Sequence, residues 1–76
     1  MVQKWLKIVK KENNKEYILE VIDKILVWDF KNLDIIKMSW KKWYFRCRIW
    51  KIRIIFFEEN NKFYIDSVWY RWDIYK

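Results

Sequence analysis

From Tyr44 to Phe57 the side chains alternate in type. Tyr44, Arg46 and Arg48 fall on one side of the chain, and Phe45, Cys47 and Ile49 on the other. After a break at Trp50 and Lys51 the alternation resumes, with Ile52, Ile54 and Phe56 opposing Arg53, Ile55 and Phe57. A period of two is the mark of a half-buried strand, because successive side chains point to opposite faces. The stretch therefore predicts two antiparallel strands joined by a tight turn, apolar on one face. Three of the chain's four arginines, Arg46, Arg48 and Arg53, are displayed on the other.

The period changes on either side of this hairpin. Val2, Trp5, Leu6 and Val9 repeat at i, i+3, i+4 and i+7, which predicts a short amphipathic helix over 2–11. Asn13 and Asn14 interrupt it, and asparagine is a favoured N-cap. A second helix is expected over 15–27, burying Ile18, Val21, Ile22 and Ile25. The short connection predicts an antiparallel helix hairpin, and helices this short need a sheet to cover. Residues 28–32 read as a polar loop with one aromatic. Leu33 to Met38 reads as a short strand with Ile36 and Met38 inward, and 39–43 as a turn. Glu58 to Asn61 is an acidic turn, followed by a strand from Lys62 to Val68 with Phe63 and Ile65 inward and a tail from Trp69 to Lys76. The order α-α-β-β-β-β predicts an α+β fold: one domain over 1–76, with the helix hairpin on one face of a mostly antiparallel four-stranded sheet.

Charge sharpens the picture. The net charge of +7 is unevenly placed: residues 1–35 carry +1 and residues 36–76 carry +6. A basic second half with arginines alternating along a strand suggests a polyanionic partner, nucleic acid first. A solvated lysine-rich surface is the plainer account, and it suits scattered lysines better than strand arginines. The single cysteine, Cys47, rules out an internal disulfide and sits on the apolar side as core filler. With no histidine, a His-based nuclease, a His-containing metal site and a Ser-His hydrolase are excluded. The acids show no metal-ligand spacing, so neither metal nor cofactor is expected. No stretch is apolar for the roughly 18 residues of a membrane span, and no signal-peptide core is seen, so the cytoplasm is the expected location and no membrane partner is expected.

The chain has no glycine and seven tryptophans: Trp5, Trp28, Trp40, Trp43, Trp50, Trp69 and Trp72. Usage near 7% would give about five glycines in this length. Alanine, threonine and proline are missing too, while Lys, Ile, Asn, Tyr and Phe abound, the bias of an AT-rich gene.

Two stretches together resemble the RelE/ParE toxins of type II toxin-antitoxin systems. They are Tyr-Phe-Arg-Cys-Arg-Ile-Trp-Lys-Ile-Arg-Ile-Ile-Phe from Tyr44, and Val-Trp-Tyr-Arg-Trp-Asp-Ile-Tyr from Val68. The family pattern at these places is a Tyr-Arg-x-Arg-Val-Gly-x-Tyr-Arg-Ile-Ile-Tyr hairpin and a terminal Val-Gly-x-Arg-x-x-x-Tyr. The resemblance covers nearly the whole chain and departs from the family twice. Family members usually begin with a strand before the first helix, whereas this chain begins inside that helix, so the sheet is expected to lack the family's first strand and to leave an edge uncovered. Trp50 and Trp69 stand where the motifs carry glycine. Zero glycine, excess tryptophan and tryptophan at glycine positions together suggest UGA codons translated as tryptophan but read natively as glycine. That reading predicts Trp40, Trp50 or Trp69 at tight turns, exposed or at positive φ.

The resemblance implies a ribonuclease of the RelE branch that cuts messenger RNA on the ribosome. Such chemistry needs an activated 2′-hydroxyl, a stabilised phosphate and a protonated leaving oxygen. On the family pattern Arg53, Arg71 and Tyr75 are the catalytic candidates, and Arg46, Arg48 and Lys51 the RNA- or phosphate-binding ones. Arg46 and Arg48 replace lysines of the catalytic branch. Arginine binds phosphate through a planar fork but is a poor general base, which leaves Tyr75 as the proton acceptor. The implied partners are a cognate acidic antitoxin, messenger RNA and the ribosome. A ParE-like inhibitor of DNA gyrase and an inactive toxin relic are the alternatives.

Overall fold

The computed structural model describes residues 4–39 and 41–72. Two helices, α1 (Trp5–Lys10) and α2 (Lys15–Leu26), precede four strands: β1 (Asp34–Lys37), β2 (Tyr44–Ile49), β3 (Ile52–Glu59) and β4 (Lys62–Tyr70). The strands form one antiparallel sheet in the order β1-β2-β3-β4, the α+β arrangement expected from the sequence. β1 and β4 are its two edges.

Both helices lie on the apolar face. Val9 of α1 and Ile18, Val21, Ile22 and Ile25 of α2 join Cys47, Ile54, Phe56 and Val68 of the sheet in one core. Ile8, rather than Leu6, is the helix residue that packs beside Trp5 and Val9. Asn14 sits at the N-cap of α2, but its side chain makes no capping bond there. Phe30 from the 28–32 loop packs on Phe56 and Phe63, so that loop is less polar than its sequence suggests.

Two expectations about the strands are corrected. In β1 it is Ile35, paired with Cys47, that joins Leu33 at the core; Ile36 pairs with Arg46 and so faces the other way, and Met38 lies beyond the strand's end. Four consecutive apolar or charged residues without alternation gave the wrong phase. β4 also runs on through Val68 to Tyr70, so Trp69 lies in a strand and not in a turn. Within β4 the register shifts, since Ile55 pairs with Ser67 while Phe56 pairs with Ile65. Asp66 is the extra residue of a β-bulge.

Cys47 is fully buried at the centre of β2. Burial first, then the Asp34 carboxylate, pushes its thiol up from 9.0 to about 11. Below pH 9 the thiol is protonated in both folded and unfolded chains, so its contribution to stability is complete. Between the two values the unfolded chain releases the proton and the folded chain keeps it. Stability is therefore lost as pH rises through this window, by at most about 1.4 kcal/mol per pH unit. Denaturant melts of wild type and Cys47→Ala should diverge in slope above pH 9. Parallel curves there would contradict the burial of the thiol.

Candidate nucleic-acid interface

The face of the sheet away from the helices carries the arginines in rows set by strand register. One row runs Asp34, Arg48, Arg53 and Trp69 across the four strands, and the next runs Ile36, Arg46, Ile55 and Ser67. A third, aromatic row runs Tyr44, Phe57 and Tyr64. Rows two residues apart along a strand are separated by about 7 Å, so the aromatic row lies about 14 Å from the Arg48–Arg53 row. Alternation in β2 and β3 fixes this arrangement, because the apolar partners on the other face are locked into the core.

Each arginine is held differently. Arg48 pairs with Asp34, its Nε and Nη2 both 2.8 Å from Oδ2, and both side chains are about half exposed. The half-buried Arg53 turns toward the hairpin, where Nη1 donates to the carbonyl oxygens of Trp50 at 2.8 Å and Ile52 at 2.9 Å. Arg46 is half-buried in the middle row. Arg71 is exposed and follows β4, and its backbone N–H donates to Lys51 O at 2.8 Å, which ties it to the same hairpin. The Arg48–Asp34 pair was invisible in the sequence, since the two residues are fourteen apart and meet only through the β1–β2 register.

Lys51 stands apart from the arginine rows. Its Nζ lies 3.3 Å from Glu12 Oε2 and 5.8 Å from the centre of the Tyr70 ring, a residue packed against the core. It pins the hairpin tip to the linker between the helices. Tyr75 lies outside the described residues, as does Trp40.

The aromatic row is a continuous stack. Tyr44 and Phe57 have centroids 5.2 Å apart at 24°, and Phe57 and Tyr64 are 5.4 Å apart at 23°. Lys41 Nζ lies 4.1 Å from the Tyr44 centroid, within cation–π range. A groove of about 530 Å³ opens at this end, lined by Lys42, Trp43, Tyr44, Phe57, Glu58 and Asn60 among others. This groove lies at the far end of the face from Arg48 and Arg53, while a second, of about 250 Å³, is lined by Asp34, Arg48 and Trp50 among others. Arginine is chemically suited to a phosphate, and stacked rings beside a groove to a base. Among the described residues no group of three or more Cys, Asp or Glu is placed to hold a metal ion. No helix among them is long and apolar enough to cross a membrane.

The backbone adds an unusual feature. Six of the described residues have positive φ: Asn32 (63°), Asn60 (53°), Asn61 (64°), Trp28 (65°), Trp43 (68°) and Trp50 (50°). Asparagine tolerates this region; a bulky side chain does not. Trp28 occupies the first position past the C-cap of α2. There its N–H donates to Ile25 O at 3.1 Å, and Asp29 N–H donates to Lys24 O at 2.8 Å, the two bonds of a Schellman motif. Trp50 is the first of two residues in the β2–β3 loop and only it has positive φ, the pattern of a type II′ turn. Trp50 therefore meets the turn expectation. Trp69 is about half exposed but stands in β4.

No family model matches the chain, and no curated protein does. Among solved structures it is similar to a chain in the crystal structure of the RelB-RelE antitoxin-toxin complex from Methanococcus jannaschii. The TM-score is 0.79 at 20% identity, with 97% of this chain and 92% of that one covered. The two chains share a fold.

Proposed function

We propose that this chain is the toxin of a toxin-antitoxin pair, an endoribonuclease that cuts messenger RNA on the ribosome. The observation that carries this reading is the open sheet face, on which Arg46, Arg48 and Arg53 lie in register with a stacked aromatic row. It occurs on a fold shared with a chain of an antitoxin-toxin complex. A phosphate seated beside Arg53 and Arg71 gains charge-assisted hydrogen bonds that strengthen as negative charge develops during cleavage. Arg48 can join only by exchanging Asp34 for the phosphate. Arg46 extends the basic track toward the aromatic row, where an unpaired base stacks on Tyr64. Tyr75 is assigned the role of proton acceptor from the 2′-hydroxyl, the part its place in the family pattern implies. Lys51, engaged with Glu12, supports the hairpin and takes a secondary part in RNA binding.

The partner is an acidic antitoxin whose segment masks the arginine face, which would otherwise hold RNA indiscriminately. The decisive experiment induces the chain alone and with any small acidic reading frame found beside its gene, and maps reporter-message ends by primer extension. New message ends on induction, suppressed by the partner, are the expected result. Intact messages with loss of plasmid supercoiling would instead assign the chain to gyrase inhibition. In vitro, Tyr64→Ala should weaken single-stranded RNA binding about tenfold, since a base–aromatic stack contributes about 1–3 kcal/mol. Unchanged affinity would remove the aromatic row from the interface.

A further inference from the structure

We propose that the seven tryptophans are glycine in the protein as its own cell makes it, each encoded by a UGA codon that this cell reads as glycine. UGA is a stop codon in the standard code, and other codes assign it to tryptophan or to glycine. The backbone now supports this beyond composition. Every positive-φ residue described is either asparagine or tryptophan, three of each. Asparagine is the residue a chain without glycine would be expected to use there; tryptophan is among the least suited. Its presence at half of these positions makes sense only if another residue was selected at them.

The local geometry agrees at positions 28, 43 and 50. Position 28 completes a Schellman motif, whose left-handed residue is most often glycine. Position 50 is the first loop residue of a type II′ hairpin, where glycine is the standard occupant. Position 43 leads into β2 at positive φ, with its carbonyl accepting from Glu58 N–H at 3.0 Å. The indoles at 28, 43, 50, 69 and 72 are all about half exposed or more. The buried Nε1 of Trp5 has no hydrogen-bond partner among the described residues. Position 5 is the first residue of α1, where glycine is tolerated better than in a helix interior.

Position 69 changes the candidate site. Trp69 pairs with Arg53 in the arginine row, and its indole Nε1 donates to Ser67 Oγ at 2.7 Å. Glycine there leaves the row open beside Arg53, so that a phosphate can approach the β4 backbone closely. This consequence rests on the ribonuclease reading; the codon assignment does not.

Reading the seven codons in the gene and sequencing peptides of the protein from its own host test the assignment directly. UGA at all seven positions is expected, and the peptide 25–31, released by cleavage after Lys24 and Lys31, should carry glycine at 28. A UGG codon at 28, 43 or 50, or a host peptide with tryptophan at any of them, overturns the proposal. For the site, glycine at 69 should bind single-stranded RNA at least tenfold more tightly than tryptophan at 69 in an otherwise identical chain. Equal affinities overturn the opened row and leave the codon result standing by itself.

Discussion

With glycine at positions 28, 43 and 50, the protein is expected to be about 3 kcal/mol more stable than with alanine at the same three positions. Both triple variants remove the same indoles, so lost ring contacts such as Trp28 on Phe63 and Trp50 on Tyr17 cancel in the comparison. What remains is the backbone. A residue with a Cβ loses about 1–2 kcal/mol in the left-handed region, whereas glycine enters it freely. Glycine's larger unfolded-state entropy returns about 0.5–1 kcal/mol of that per site, which leaves about 1 kcal/mol net at each. In a chain this short, about 1 kcal/mol moves the melting temperature by roughly 4–8 °C, so the two variants should melt more than 10 °C apart. Position 69 provides the opposite sign. It lies in β4 without positive φ, so Trp69→Ala should be the more stable of the two there, by about 0.5–1 kcal/mol. If alanine matches glycine at 28, 43 and 50, the left-handed geometry at these positions is refuted.

Arg71→Ala is expected to lower RNA cleavage by roughly 10²–10³-fold, the usual loss when one preorganised donor to a developing charge is removed. Arg71 is exposed and its backbone bond to Lys51 survives the substitution, so the melting temperature should not move. Arg53→Ala should lose cleavage to the same degree and also soften the hairpin, because Arg53 donates to two turn carbonyls. Its stability loss is about 1 kcal/mol, the size of an ordinary hydrogen-bond deletion. Arg53→Lys separates the two roles: the charge stays, while the fork that reaches both carbonyls and a phosphate is gone. Tyr75→Phe should leave RNA binding intact and abolish cleavage. Variants that still cut message at the wild-type rate, folded and at equal level, would strip these residues of their assigned roles.

Much of this fold was legible in the chain because β2 and β3 alternate cleanly, and that one hairpin orients the whole sheet. The face carrying Arg46, Arg48 and Arg53 could be read from it directly. β1 could not be phased, since Ile35 and Ile36 are equally apolar and only pairing with Cys47 decides between them. Lys51 looked like one more cation of the basic half; its tie to Glu12 depends on where the helix linker lands. The Asp34–Arg48 pair likewise exists only once β1 is docked. The turn at Asn60 and Asn61 was readable because asparagine announces positive φ. At 28 and 43 tryptophan announced nothing of the kind, and only the backbone marked them.

The extra residue in β4 sets the parity of everything after it. Up to Ile65, odd-numbered side chains of β4 face the helices; from Val68 onward, even-numbered ones do. Were the bulge to flatten with Asp66 kept in the ladder opposite Ile55, position 69 would come round to the helices and Val68 out among the arginines. Arg71, leaving the strand two residues later, would inherit the wrong parity. The candidate site thus depends on how many residues of the strand enter the ladder before it as well as on which they are. A one-codon deletion at 66 would instead close the bulge and leave Ser67, Val68 and Trp69 opposite their present partners.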